Sequence, residues 1–234
     1  LLLKLSKLQW QHLSHRNGLR IIGIMSRVAH VIGNGDQAQL YTPSKGIKIA
    51  CNQPPMPIPN LFASCIVDFK MSAALTEGSV EIPGDWVLGY RPKIWYDQNN
   101  GNFKMRFGHK IKEFYTYLPP YTKLFPDENE GNMYTNFNCG HLAVHYTANR
   151  LKPDEIHMYG FDSIFDMNLR SYTDFVLQSD REATNNVRLA DRWRPIWNGI
   201  FGEFKDIRFV LHHNHDQSKI QLPDNVEVYT HKRG

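Results

Sequence analysis

The chain has 234 residues, of which 41% are hydrophobic, 12% aromatic and 21% charged. This composition is typical of a globular protein and has too few charges for a disordered tail. No apolar run approaches the roughly 20 residues that cross a bilayer, so we expect no membrane span. The net charge of +4 comes from 27 Lys and Arg against 23 Asp and Glu. Five of these cations and none of the acids lie in residues 1–35, which leaves 22 cations against 23 acids elsewhere. A polyanionic partner must therefore be bound by a local basic patch.

The length favours one domain with a small addition, because typical domains have roughly 150 residues. Residues 1–24 are predicted to be a flexible leader or extension, with an amphipathic helix as the alternative. A signal peptide is disfavoured, because polar residues interrupt the apolar ones and no small-residue cleavage site follows. Residues 25–234 are predicted to be a single domain with a lid or acceptor insertion around 90–135. The three cysteines include no C-x-x-C pair, which favours free thiols in a reducing compartment, the cytoplasm.

Short β-rich runs alternate with helices or long loops along the chain. The runs predict strands at 27–32, 47–51, 65–68, 85–88, 111–115, 155–159, 207–211 and 226–229. Helices are predicted at 71–75, 139–151 and 186–204. Asn138 is the expected cap of the second helix and Pro153 its stop, while Pro195 is expected to kink or split the third. The alternation predicts an α/β fold, a mainly parallel sheet with helices on both faces.

Polar residues or glycines follow four of these strands, at 33–36, 52–53, 68 and 160–162. Because ligands bind beyond the carboxyl ends of parallel strands, we expect these residues to surround one site. The glycines of G-N-G-D at 33–36 let a backbone approach a phosphate or ribose, unless they form an ordinary turn. A G-x-G-x-x-G pattern is absent, which disfavours a dinucleotide site. Asp68 is either a general base for a hydroxyl or the cap of the helix that follows.

Histidines occur in two groups. His141 and His145 lie four apart on a predicted helix, and 212–215 reads H-H-N-H at a strand end. Neither group has an H-E-x-x-H context or a paired cysteine, so we predict no metal. We expect His141 to face the ligand from the first helical turn. If 212 and 213 are still in the strand, their side chains point to opposite faces and cannot easily share one ion.

Residues 91–112 carry six cations against one acid, with aromatic residues between them. Cations bind phosphates and aromatics stack on bases, so this basic-aromatic patch is a candidate nucleic-acid surface. The alternative is a solvated surface whose aromatics turn inward. The candidate acceptor-binding residues are Lys93, Trp95, Tyr96, Lys104 and Arg106. Arg188 is a candidate clamp for a donor phosphate, or else part of a solvated helix face.

Four motifs in order resemble the bacterial lipooligosaccharide sialyltransferases and related nucleotide-sugar transferases. They are VIGNG at 31–35, CNQ at 51–53, CG at 139–140 and EIHMYGFD at 155–162. The resemblance covers about residues 28–165. It implies a Rossmann-like transferase with a small lid, and an inverting, metal-independent transfer from a nucleotide sugar without a cofactor.

The resemblance also implies a donor site. By position, its residues are Gly33, Asn34, Gly35, Asp36, Asn52, Gln53, Cys139, Gly140, Gly160, Phe161 and Asp162. Tyr172 is the nearest match to a lid tyrosine that steadies the leaving phosphate. The family's catalytic histidine precedes the last long helix, where this chain reads Thr-Asn-Asn at 184–186. A different base is therefore needed, and we expect Asp68 first and Asp174 second.

Longer stretches are similar to a group of bacteriophage transferases, some linked to the addition of arabinose to 5-hydroxymethylcytosine in phage DNA. These stretches are VDFKM, PGDWVLG, NCGHLAVHYTAN and DEIHMYGFDS. The similarity implies a donor such as UDP-arabinose, hydroxymethylated double-stranded DNA as partner, and the host cytoplasm as location. Two alternatives stay open: a glycan-directed, sialyltransferase-like enzyme, and a non-catalytic nucleotide-binding module that has lost the base.

Overall fold

The structure is a computed structural model that describes residues 27–98, 101–124, 137–165, 172, 183–215 and 221–232. At 69, 123, 124 and 183–192 it describes the backbone only, and the predicted leader lies outside these ranges. All eight predicted strands are present, with ends within two residues of those expected. They are β1 Val28–Ile32, β2 Ile47–Cys51, β3 Ala63–Ile66, β4 Trp86–Leu88, β5 Ile111–Phe114, β6 Glu155–Tyr159, β7 Arg208–His212 and β8 Val226–Tyr229.

The three predicted helices are also present. In chain order the described helices are α1 Phe69–Glu77, α2 Tyr90–Gln98, α3 Asn102–Phe107, α4 Cys139–Tyr146 and α5 Ala183–Glu203. The predicted ones are α1, α4 and α5, and the sequence did not indicate α2 and α3. Helix α4 continues as a π-helical turn, Thr147–Leu151, and ends at Lys152, whose left-handed backbone precedes Pro153. Helix α5 continues through Pro195, so the expected split does not occur, and Ile196 and Trp197 directly after the proline are buried in the core.

All strands are parallel, in the order β5-β4-β3-β2-β1-β6-β7-β8. From β1 at the centre, the chain moves outward through β2 to β5, then returns to the other side of β1 with β6 and continues outward to β8. The direction of winding therefore reverses between β1 and β6. In parallel sheets, the carboxyl ends of the strands at such a switch point form the usual ligand crevice.

Helices cover both faces, as predicted. On one face, α4 and α5 pack on alternate strand residues in a buried cluster that includes Val31, Ile49, Met158, Leu142 and Ile200. On the other, α1 and α3 cover β3 and β4 in a second cluster that includes Ile66, Trp86, Leu88, Leu75 and Phe103. This alternation of apolar side chains along each strand is the period-two pattern of a sheet buried on both sides.

Part of the predicted insertion at 90–135 belongs to the sheet itself. Helix α2 is a crossover between β4 and β5, and β5 is the edge strand. Residues 115–124 then continue past the carboxyl end of β5, and 125–136 lie outside the described residues. Because β5 is parallel to β4, residues 115–124 begin at the same edge of the sheet as the polar loops that follow the other strands.

Candidate functional site

The loops after β1 and β6 meet at the switch point. The Gly33 N–H donates to the Tyr159 carbonyl at 2.7 Å, and the Gly35 N–H to the Gly160 carbonyl at 3.0 Å. A Cβ on Gly33 would lie 2.5 Å from the Gly160 oxygen, and one on Gly35 would lie 2.3 Å from Oδ2 of Asp162. Close contact between the two loops therefore requires these glycines, whereas the sequence suggested close approach to a ligand.

Asp162 faces the protein rather than the outside. Its side chain is 2% exposed, and its Oδ2 accepts a hydrogen bond from the Gln37 N–H at 3.1 Å. Its Oδ1 lies 3.5 Å from Nδ1 of His213. Phe161 is buried as well and packs edge-on against Trp197. The expectation that the side chains of Phe161 and Asp162 belong to the donor site is therefore corrected: both are buried and support the loop after β6.

His213 also lies at this edge, although the sequence had placed it only in a histidine group considered as a metal site. It follows β7, and its ring stacks on Phe165 at 4.1 Å and faces the Asp162 carboxylate. A carboxylate beside Nδ1 is the arrangement that orients an imidazole as a general base. Finding it required the strand order, because Asp162 and His213 are far apart in the chain but follow adjacent strands. His212 is the last residue of β7, so only one of the two histidines is in the strand, and its ring packs against His157 and Tyr159 instead.

The end of β2 contributes Asn52, which has a left-handed backbone with φ of 50°. Its N–H donates to the Cys65 carbonyl at 2.8 Å, and its Oδ1 lies 3.4 Å from the Cys139 sulfur. Asn52 is thus placed between β3 and the start of α4. The adjacent Gln53 is partly exposed, and its side-chain oxygen accepts no hydrogen bond from the described residues.

The three cysteines converge beneath this edge as free, buried thiols, in agreement with the sequence. Cys51 and Cys65 are register partners on β2 and β3, and the Cys139 thiol donates to the Cys65 carbonyl at 2.7 Å. Burial, then Cys51, then the Asp68 carboxylate raise the pKa of Cys139 well above its usual range, and burial does the same to Cys65. The thiols of Cys65 and Cys139 are therefore protonated at neutral pH and unsuited to nucleophilic attack.

The start of α4 packs tightly against the loop after β6. The Asn138 side chain accepts a hydrogen bond from the His141 N–H at 2.9 Å, and Nδ1 of His141 accepts from the Asn138 N–H at 3.1 Å. This capping box confirms Asn138 as the cap. A Cβ on Gly140 would lie 2.9 Å from the ring of Phe161. His141 has no exposed surface and packs on Trp197, so the expectation that it faces a ligand is corrected.

Asp68 occupies the cap position of α1 without a side-chain cap hydrogen bond. Its backbone oxygen accepts from the Ser72 N–H at 3.2 Å, so the backbone starts the helix. The half-buried carboxylate is close enough to Cys139 to influence its pKa. Asp68 therefore lies at the carboxyl edge beside the start of α4, with its side chain not used for capping.

Tyr172 lies next to the G-N-G loop. Its N–H donates to the Asn34 carbonyl at 2.7 Å, and its side chain is exposed. Asp36 is exposed at the start of a short 3₁₀ turn, Asp36–Leu40. The side chain of Arg188 on α5 and the whole of Asp174 lie outside the described residues.

The basic-aromatic patch lies mainly at the other end of the strands. Arg106 donates to the Thr76 carbonyl at the end of α1, and Lys110 to the Ile82 carbonyl ahead of β4 at 3.2 Å. These partners mark the amino edge, and α3, which carries Lys104, precedes β5 there. The expected acceptor role of Lys104 and Arg106 beside the donor crevice is therefore corrected. The prediction failed because residues close in sequence run from one edge of the sheet to the other.

The aromatics of this patch turn inward, as the alternative interpretation held. Tyr96 packs on Phe114 at 5.0 Å, and both Tyr96 and Trp95 adjoin the cluster under α1 and α3. Lys93 forms an i,i+4 ion pair with Asp97 at 2.5 Å. Base stacking on Trp95 or Tyr96 would therefore require the segment to unpack.

Outside the crevice, a hydrogen-bonded row of histidines crosses the second face of the sheet. Nδ1 of His157 lies 2.8 Å from Nε2 of His212, and Nδ1 of His212 lies 2.7 Å from Nε2 of His231. Nε2 of His157 lies 2.5 Å from the Glu155 carboxylate. All three contacts are satisfied when each ring is neutral and carries its proton on Nε2. Burial, and then the neighbouring His157, His231 and His30, lower the pKa of His212 to about 3.

This row predicts acid sensitivity. The pKa of a histidine in the unfolded chain is near 6.5, whereas the pKa of His212 in the folded protein is about 3. Between these two pH values the unfolded chain therefore binds a proton that the folded protein does not bind. The contribution of His212 is therefore complete above pH 6.5 and declines as pH falls. From pH 7 to 5 we expect a loss of about 1 kcal/mol in unfolding free energy after allowance for solvent screening. Urea denaturation should show this decline reduced in His212→Gln and unchanged in the exposed control His109→Gln. Equal pH dependence in all three proteins would contradict the assignment.

The chain matches no protein family model, no curated protein and no solved structure. None of the described helices is long and apolar enough to cross a membrane. Within the same described ranges, no three His, Cys, Asp or Glu side chains are grouped to hold a metal ion. The interpretation of the site therefore depends on its own geometry.

Proposed function

We propose that this protein is a glycosyltransferase that moves a sugar from a nucleotide sugar to a hydroxyl group by inverting, metal-independent displacement. The observation that carries the proposal is convergence: separate segments predicted to bind the donor lie together at the carboxyl edge around the switch point. The loops after β1 and β6 touch through Gly35 and Asp162, and the start of α4 links Asn52 to Phe161. A crevice at this place in a parallel sheet is the usual site of nucleotides.

In this proposal, the nucleotide of the donor lies along the loop after β1, beside Tyr172. The N–H groups of Gly33, Gly35 and Gln37 already donate to the loop after β6, so they do not serve the phosphates. Recognition of the leaving diphosphate falls instead to side chains, the Asn34 amide and a cation such as Arg188. Asn52 is 3% exposed and accepts a hydrogen bond from Cys139, so we assign it a role in supporting this edge and no direct contact with the sugar.

The reaction is a single displacement. The Asp68 carboxylate takes the proton of the acceptor hydroxyl, and the oxygen attacks the anomeric carbon from the side opposite the diphosphate. A new bond from carbon to the acceptor oxygen forms as the bond to the diphosphate oxygen breaks, and the nucleoside diphosphate leaves with the electron pair. A general base of this kind contributes about 10²–10⁴-fold in rate.

For the acceptor we propose 5-hydroxymethylcytosine in phage DNA, with arabinose as the sugar and the host cytoplasm as the setting. The support is the similarity of the longer sequence stretches. A glycan acceptor is the main alternative, and a non-catalytic nucleotide-binding module is the other. DNA binding should weaken steeply with salt because phosphate contacts release counterions, whereas a reaction on an oligosaccharide should be nearly insensitive.

The test is incubation of the protein with a panel of nucleotide sugars and hydroxymethylcytosine DNA, followed by mass analysis of the nucleosides. We expect one sugar to add its mass to 5-hydroxymethylcytosine and to release a nucleoside diphosphate. Nucleotide binding without any transfer, on DNA or on an oligosaccharide panel, would favour the non-catalytic module. Absence of both binding and transfer would contradict the proposal.

A further inference from the structure

The loop after β7 is fastened to the loop after β1 by one buried side chain, that of Gln37. Gln37 lies in the 3₁₀ turn that follows the G-N-G loop and is 4% exposed. Its Oε1 accepts a hydrogen bond from the Asn214 N–H at 2.9 Å, and its Nε2 lies 2.9 Å from Nε2 of His215. The imidazole of His215 is thereby held at the carboxyl edge of the sheet, beside the switch point.

Two further hydrogen bonds hold this loop on its other side. The His213 N–H donates to the Tyr229 carbonyl at 3.1 Å, and the His231 N–H donates to Oδ1 of Asn214 at 2.8 Å. The ring of His215 meets that of His213 edge-on, with the ring centroids 5.4 Å apart. His215 is therefore held in place before any ligand binds, although it is an exposed residue.

These contacts determine which nitrogen of His215 carries the proton. A backbone N–H can only donate, so the atom of Gln37 that faces Asn214 is the oxygen, and the atom that faces His215 is the NH₂ group. The NH₂ group donates, so Nε2 of His215 is the acceptor and the neutral imidazole carries its proton on Nδ1. Among the described residues, Nδ1 has no hydrogen-bond partner of its own. His215 therefore presents one N–H donor at the edge of the crevice.

His215 and the proposed base lie toward opposite ends of the crevice. Asp68 follows β3 and His215 follows β7, and the strands β2, β1 and β6 lie between them. Four strand spacings of about 4.8 Å separate the ends of β3 and β7 by roughly 19 Å along the edge. The transferred sugar must lie near Asp68, so the end at His215 receives the part of the donor most distant from that sugar, which is the nucleotide base.

A fixed N–H donor discriminates between rigid acceptors and rigid donors. The hydroxyls of a ribose can rotate to match either partner, and phosphate oxygens are the same in every nucleotide, so neither group is discriminated. At its C4 position uracil carries a carbonyl oxygen, which accepts a hydrogen bond, whereas cytosine carries an NH₂ group, which donates. An N–H donor at this place therefore favours uracil, because cytosine would leave two donors facing each other.

We propose that His215 is a specificity-determining residue for the donor and that its Nδ1–H binds the C4 carbonyl of a uracil nucleotide. Gln37 is the positioning residue, because its amide selects the tautomer that donates from Nδ1. This inference rests on the proposed function and deepens it by assigning the nucleotide class of the donor. The C4 edge of a pyrimidine points away from its ribose, which matches a contact at the end of the crevice far from the transferred sugar.

The first measurement is the tautomer of His215 in the free protein, from long-range proton–nitrogen NMR correlations of the imidazole at a pH where the ring is neutral. The His215→Leu variant identifies the signal. We expect the proton on Nδ1 in the wild type and a mixture of both tautomers in Gln37→Met, which keeps the length of the side chain but has no amide. A wild-type ring with its proton on Nε2 would overturn the inference.

The second measurement is the affinity for UDP and for CDP by calorimetry. We expect the wild type to bind UDP about five- to tenfold more tightly than CDP, the effect of one hydrogen bond. His215→Leu and Gln37→Met should each lose most of this preference. His109→Leu, at an exposed histidine just before β5, is the control and should keep it. Affinity for inorganic pyrophosphate should be equal in all four proteins. His215 is exposed, so its variant should fold, and circular dichroism checks Gln37→Met.

Other results separate the failure of this inference from the failure of the proposed function. Equal affinity for UDP and CDP in the wild type, or an unchanged preference in His215→Leu, would overturn the inference and leave the transferase proposal intact. Loss of pyrophosphate affinity in His215→Leu would overturn it as well, by assigning His215 to the phosphates. Binding of neither diphosphate would overturn the proposed function and this inference with it. A uracil preference that depends on His215, without any sugar transfer, would count against the proposed function alone.

Discussion

Replacing Asp68 by asparagine is expected to lower turnover by about 10²–10⁴-fold while nucleotide binding stays near the wild-type value. Asparagine cannot accept the acceptor proton, but it is as good a helix cap as aspartate, so α1 should be retained. The measurement is kcat with saturating donor and acceptor, together with nucleotide affinity.

The matched control for this variant is Asp85→Asn, at the opposite edge of the same part of the sheet. Asp85 directly precedes β4 and forms an exposed ion pair with Lys112 at 3.4 Å, so its loss should leave kcat unchanged. Near wild-type turnover in Asp68→Asn would show that the base is another residue. Loss of turnover in His213→Gln would then assign the base to the Asp162–His213 pair, and loss in Asp174→Asn would assign it to Asp174.

Replacing Gly33 by alanine is expected to destabilise the fold by about 1–3 kcal/mol, because the new methyl group has no room. Its Cβ would lie 2.5 Å from the Gly160 oxygen and 3.1 Å from the Tyr159 oxygen, and both are backbone atoms of a central strand end. The two loops must move apart, which changes the crevice. We therefore also expect nucleotide affinity to fall by about tenfold or more.

Urea denaturation and nucleotide titration measure these two effects of Gly33→Ala. Gly202→Ala is the control, because a Cβ there meets nothing within 4 Å and the residue lies near the end of a helix. That variant should be as stable as the wild type or slightly more stable. If Gly33→Ala matched Gly202→Ala in both stability and affinity, the close loop contact at the switch point would be refuted.

Most of the individual elements could be predicted from local patterns. Apolar runs bounded by glycine, proline or polar residues identified the eight strands, because a strand in a covered parallel sheet buries both faces. Asn138 identified the start of α4, because its side chain satisfies a backbone N–H that the helix leaves open. The polar strand ends at 33–36, 52–53 and 160–162 could be assigned to one edge because parallel strands share a direction.

The errors concern relations between segments that are distant in sequence. His141 seemed available to a ligand, but helix packing turns it onto Trp197. Gly33 and Gly35 were predicted to let the backbone approach a phosphate or ribose, but in the structure they lie against the loop after β6. Lys104 and Arg106 were expected to bind the acceptor, yet they lie at the amino edge, opposite the proposed donor site.

By itself, the sequence determined which segments are strands and helices and that their polar ends share one edge, because both follow from hydrophobic period and chain direction. Only the tertiary structure decided the strand order, with β1 beside β6. That order brings Asp162 to His213 and the two glycine loops into contact. It also decided that the start of α4 packs between the ends of β2 and β6, because no local pattern encodes contacts between segments that are distant in sequence.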